Sequence, residues 1–76
     1  MARIDLHHFT KSASEFKGLQ DEAYSEYIIE RGKILQINMF GRATRPTPKP
    51  SQFIQIDKAT AKRLVELFQE AGLLDD

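Results

Sequence analysis

The sequence predicts a small α+β domain: a three- or four-stranded antiparallel sheet with one amphipathic helix at its C-terminal end, packed on one sheet face. Three observations predict it. Apolar residues in the last quarter of the chain recur at the helical period, and two earlier segments alternate at the strand period. The length, 76 residues, accommodates a single domain spanning 1–76. A chain of this size buries only about 60% of the surface it exposes when unfolded, so its stability margin is thin and a second subunit would help it.

The C-terminal helix is the clearest element. Ala61, Leu64, Val65, Phe68 and Ala71 fall at i, i+3, i+4, i+7 and i+10, which is one helical face. Asp57 stands at the N-cap position, where its carboxylate can accept a first-turn N–H and meet the positive end of the helix dipole. Gly72 supplies the left-handed residue of a Schellman ending, with Leu73 positioned to fold back on Phe68. The predicted span is 58–71.

Residues 51–57 read as a strand, with Ile54 and Ile56 on one face and Phe53 and Gln55 on the other. Residues 33–40 read as a second. Its Leu35, Ile37 and Met39 are uniformly apolar and should lie under the helix with Ile54 and Ile56, while Ile34, Gln36, Asn38 and Phe40 mix large apolar groups with amides. Residues 24–30 are aromatic and β-branched, and Arg31-Gly32 would close a two-residue hairpin before Lys33. A helical stripe through Phe16, Leu19, Ala23 and Tyr27, with Ser12 and Glu15 as a capping box, competes with that strand. The favoured compromise is a short N-terminal helix from 13 to about 20 and then a strand, because Tyr-Ile-Ile is a poor helix interior. Ile4, Leu6 and Phe9 suggest a short edge strand at the start.

Composition excludes several function classes. The absence of cysteine removes disulfides, thiolate zinc sites and cysteine nucleophiles, and fits a cytoplasmic protein. Met1 to Thr10 alternates charge and apolarity and does not read as a secretory leader, and no apolar run reaches the roughly 20 residues of a membrane helix. Neither a glycine-rich phosphate loop nor the spacing of a catalytic triad is present, so no enzyme and no cofactor is expected. His7-His8 with Asp5 brings only two potential metal ligands to one side of an extended chain, too few for zinc.

Charge is the informative property. The chain is neutral overall, yet residues 31–63 carry eight cations (Arg31, Lys33, Arg42, Arg45, Lys49, Lys58, Lys62 and Arg63) against Asp57 alone, a net +7. Residues 1–30 carry −3 and residues 64–76 carry −4. A segregated field favours a polyanion where a mixed one would not. Residues 41–50 hold three prolines and three cations without an acid, and should form a protruding basic loop. Arg42, Arg45 and Lys49 there, with Arg31 and Lys33 at the opposite turn, are the candidate phosphate contacts. Phe40 and Phe53 are candidate stacking platforms, and Gln36 and Asn38 candidate base contacts, joined on that face by Gln55.

Gly32-Lys33-Ile34-Leu35-Gln36-Ile37, the Lys49-Pro50 pair, and Gln52 to Asp57 running into the helix follow the order strand, basic loop, strand, amphipathic helix. In that order residues 32–73 resemble the single-strand-DNA-binding domain of the positive-cofactor-four family of transcriptional coactivators, a resemblance that implies a nucleic-acid-binding role. Where that family carries glycines and lysines before its last strand, this chain has Pro50-Ser51-Gln52. The same outline is similar to Pur-type repeats, to arm-binding domains of phage integrases and to double-stranded-RNA-binding domains. Fold outline alone does not establish function.

The leading expectation is a small non-enzymatic nucleic-acid-binding protein, single-strand or backbone directed, without a membrane role and a candidate homodimer. The alternative is a protein-interaction module, such as a small inhibitor or regulator encoded by a mobile element, that docks through the proline-rich loop or an exposed strand edge.

Overall fold

Four strands and one helix account for the regular structure of the computed structural model, which describes residues 2–41 and 50–76. In chain order these are β1 (Ala2–Arg3), a single 3-10 turn at Leu6–His8, β2 (Ser25–Glu30), β3 (Ile34–Met39), β4 (Gln52–Asp57) and α1 (Lys58–Glu70). They form one sheet in the order β1-β4-β3-β2. The fold is α+β as the sequence predicts.

The sheet is mixed, not wholly antiparallel. β2, β3 and β4 run antiparallel, but β1 lies parallel to β4, with Ala2 opposite Ile54 and Arg3 opposite Gln55. A parallel neighbour needs a crossover, and residues 4–51 supply it by way of β2 and β3. The N-terminal strand also stops earlier than Ile4, Leu6 and Phe9 suggest. Asp5 turns the chain by accepting the His7 backbone N–H at 3.1 Å, which caps the 3-10 turn and ends the ladder.

No helix forms between 13 and 20. Gly18 adopts φ +80°, a left-handed conformation that interrupts any helix through it. Phe16 and Leu19, 89% and 100% exposed, find nothing to pack against, and an isolated short helix does not hold without packing. Ser25–Glu30 is strand, and the turn after it has three residues in place of the expected two. Lys33 N–H donates to the Glu30 carbonyl at 2.9 Å, and Gly32 takes φ +77° between them.

The helix begins without a loop after β4. Asp57 caps it, accepting the Thr60 N–H at 2.9 Å. At the other end Gly72 N–H donates to Gln69 O at 3.1 Å and Leu73 N–H to Phe68 O at 2.9 Å, a complete Schellman pair. The Leu73 side chain remains 72% exposed and gives Phe68 little shelter.

Residues directly opposite each other share a sheet face. One face carries Tyr27 and Ile29 of β2, Leu35, Ile37 and Met39 of β3, and Ile54 and Ile56 of β4. The other carries Glu26, Ile28, Glu30, Ile34, Gln36, Asn38, Phe53 and Gln55. The helix packs chiefly on β4 and presents Thr60, Arg63, Leu64 and Leu67 as its most covered side. The stripe expected from spacing is thus rolled by about one residue. Val65 stays 47% and Phe68 39% exposed, while Thr60 is fully buried with its hydroxyl unpaired among the described residues. Position 60 follows directly from the strand end and is tucked in by the abrupt start, and residues 9–12 border the Arg63, Leu67 and Ala71 side.

Candidate binding surface

The mixed face of the sheet is spent internally. Gln36 Nε2 donates to Asn38 Oδ1 at 2.8 Å and Gln55 Nε2 donates to Gln36 Oε1 at 2.9 Å, so three amides across β3 and β4 form one chain of hydrogen bonds. Asn38 is buried. Phe40 is 8% exposed and packs against Tyr24, which removes it as a stacking platform. The physical reason is register: β2 pairs alongside β3 as far as Tyr24, whose aromatic ring closes over the ring at 40. Phe53 is half-buried. The expected set of Gln36, Asn38, Phe40 and Phe53 is therefore brought to one face, with the two amides hydrogen-bonded within the sheet and Phe40 buried, while Phe53 keeps part of its exposure.

The described cations nearest the sheet, Arg31, Lys33 and Lys58, gather at one of its ends. Arg31 and Lys33 are exposed in the turn that precedes β3, and Lys58 follows β4 at the same end. Lys33 and Lys58 border one open cleft of about 340 Å³ whose apolar wall is Ile29, Leu35, Ile56 and Ala61. Arg31, Lys33, Lys58 and Lys62 have no ion-pair partner among the described residues, whereas Arg63 is engaged by Glu66 at 3.0 Å. Arg42, Arg45 and Lys49 lie outside the described residues. Their flanks, Gly41 and Pro50, adjoin the other end of β3 and β4, roughly 17–20 Å away for strands of this length.

One surface is more conspicuous than spacing suggested. All six residues of β2 are exposed, including Tyr27 at 70%, Ile28 at 52% and Ile29 at 62%. β2 is also an edge, with β3 on one side only. Its sequence, three large apolar residues between Glu26 and Glu30, is that of a core strand with acidic bookends. The residue pattern carries a signal for it, since three consecutive large apolar residues need cover on both sheet faces and the helix at 58–70 can supply it on one alone.

The N-terminal turn is closed by a local side-chain hydrogen bond. His8 Nδ1 and Asp5 Oδ2 are 2.6 Å apart, and that hydrogen bond, aided by the His7 backbone N–H, holds the Asp5 carboxyl below the usual carboxylate range. Among the described residues no three His, Asp or Glu side chains are grouped to hold a metal ion. No described helix is long and apolar enough to cross a membrane. Compared with known proteins, the chain matches no family model, no curated protein and no solved structure.

Proposed function

We propose that this chain is a small non-enzymatic protein-interaction module that docks its partner by strand addition along β2. The observation that supports it most is a whole edge strand, Ser25–Glu30, lying exposed with Tyr27 and Ile29 on one face and Ile28 on the other. Edge strands of soluble proteins are ordinarily short, charged, bulged or covered, because unpaired N–H and C=O groups template another strand. Glu26 and Glu30 provide some of that protection, but three consecutive large apolar residues between them work against it. Main-chain bonds would supply affinity and the alternate side chains selectivity.

The test uses a defined probe, a ten-residue peptide alternating valine and threonine with lysine at each end. Amide hydrogen exchange on the full chain should show the N–H groups of Tyr27 and Ile29 gaining protection as the peptide is added. Absence of protection there at millimolar peptide, with protection elsewhere on the sheet, overturns the assignment.

A second reading, nucleic-acid backbone binding, is favoured by one observation. Lys58 and Lys62 sit in the first turns of α1, where the helix dipole opposes them and the first turn itself holds no acid. Together with Arg31 and Lys33, and with Arg42, Arg45 and Lys49 of the basic 41–50 sequence, they could follow phosphates. Electrophoretic shifts with single-stranded and duplex oligonucleotides decide it. A complex whose log-log salt slope falls by about 0.7 to 0.9 for each cation removed would put this reading first.

A further inference from the structure

We infer that the strand β2 accepts is β2 of a second copy, giving a two-fold dimer with one continuous eight-stranded sheet. This rests on the reading of β2 as the docking edge and adds the identity and register of the occupant.

Main-chain parity narrows the possibilities. Phe40 N–H donates to the Tyr24 carbonyl at 2.9 Å, which makes residues 24 and 40 a hydrogen-bonded pair. Such pairs alternate along an antiparallel ladder, so Glu26, Ile28 and Glu30 direct their N–H and C=O groups to β3. Ser25, Tyr27 and Ile29 direct theirs to the open edge. A two-fold axis perpendicular to the sheet would set two β2 strands antiparallel, and the outward groups must then face outward groups.

Side-chain charge selects among the registers that remain. An axis at Ile28 places Glu26 opposite Glu30 twice, and an axis at Glu26 places that carboxylate opposite its own copy. Like charges directly opposite are unfavourable. An axis at Ile29 carries the pairing into the Arg31–Lys33 turn and leaves the first half of the strand unused. An axis at Tyr27 pairs the full strand without opposing two acids. Tyr27 then faces itself, Ser25 faces Ile29, Glu26 faces Ile28, and Glu30 faces Tyr24.

The same register matches the ends. Beyond the paired strands, the Arg31–Lys33 turn of one copy stands at the same end of the joint as Asp21 and Glu22 of the other, and the match occurs twice by symmetry. Both pairs are exposed, and Arg31, Lys33, Asp21 and Glu22 have no ion-pair partner among the described residues. The cationic turn and the acidic approach to β2 lie at opposite ends of one strand, the arrangement an antiparallel self-pairing requires. Tyr27 and Ile29 would gain cross-strand neighbours on their own face without any rearrangement of the sheet.

Sedimentation equilibrium of the full chain from micromolar to millimolar concentration tests the inference, with circular dichroism to establish folding of each variant. The wild-type chain should be a dimer, and Tyr27→Lys, which sets two cations on the axis, should shift it to monomer. Two charge-reversed chains give an independent readout should that variant fail to fold. Arg31→Glu with Lys33→Glu makes both ends acidic, and Asp21→Lys with Glu22→Lys makes both basic, so each alone should dimerise at least about tenfold more weakly. Mixed, they should form heterodimers. A wild-type chain monomeric throughout overturns the second-copy inference, and the strand peptide then determines separately whether the edge reading stands. A dimer indifferent to Tyr27→Lys, or reversed chains that do not restore each other, overturns the register.

Discussion

Tyr24 and Phe40 meet edge to face, their ring centroids 5.6 Å apart and their planes at 72°, while the Phe40 N–H donates to the Tyr24 carbonyl at 2.9 Å. One pair thus joins the strand ladder to the side-chain packing at the end of the sheet. Phe40 is the only buried hydrophobic among the described residues. Phe40→Ala should therefore cost about 3–5 kcal/mol, comparable with the whole margin of a domain this small, and leave the chain largely unfolded. Tyr24→Ala should cost less because that ring is only half-buried, and a double-mutant cycle built on Phe40→Leu should return a coupling of about 0.5–1.5 kcal/mol. Urea titration followed by circular dichroism measures both.

The amide chain predicts an asymmetry. Gln36 is the middle link, donating to Asn38 and accepting from Gln55, so its loss strips partners from two neighbours, one of them buried. Gln36→Ala should destabilise by about 1–3 kcal/mol, because an unsatisfied buried carbonyl costs more than the bond contributes net. Gln55→Ala removes one link only and should cost less. Equal costs for the two would mean that Asn38 finds another donor.

How much of this was legible in the residues depends on where the determinants lie. Asp57 as cap, Gly72 as terminator and the alternation of β3 and β4 are local, set by side chains within a few positions of where they act. The expected helix at 13–20 failed because its apolar stripe needed a surface to bury against, which no local pattern reveals, and because Gly18 turns left-handed. The burial of Phe40 and the mutual satisfaction of Gln36, Asn38 and Gln55 are properties of register. Amides and aromatics on one strand face read equally well as a base-binding platform or as an internal network until the neighbouring strands are in place.

The charge order of α1 is reversed relative to its dipole. Lys58, Lys62 and Arg63 stand toward the N-terminus and Glu66 and Glu70 toward the C-terminus, with no acid in the first turn and no base in the last. Lys58→Glu should raise stability by about 0.3–1 kcal/mol at low ionic strength, and the gain should shrink with added salt. Thermal melts at two salt concentrations check it. If the same variant weakens binding to an oligonucleotide while stabilising the fold, the cations are kept at that end for a ligand and not for the helix.

Acid should act on the helix start before the strands. The Asp57 carboxyl is held below the usual carboxylate range, first by the Thr60 backbone N–H it accepts and also by Arg3, whose Nε lies 4.0 Å away. A depressed value in the folded chain means that folding favours the ionised form. The linked stability is therefore present above the ordinary carboxylate value and is lost as pH falls through the lower, folded value. Asp57→Asn keeps a side-chain oxygen that can cap but removes the titration. Its Tm at neutral pH should lie close to that of the wild type or slightly below, and its decline between about pH 5 and pH 2 should be shallower. Asp57→Ala, which removes the cap altogether, should melt lower at every pH. Parallel curves for the wild type and Asp57→Asn would mean that the carboxylate caps the helix with no help from its charge, and that acid sensitivity arises at Asp5, where the hydrogen bond to His8 exerts the same directional pull.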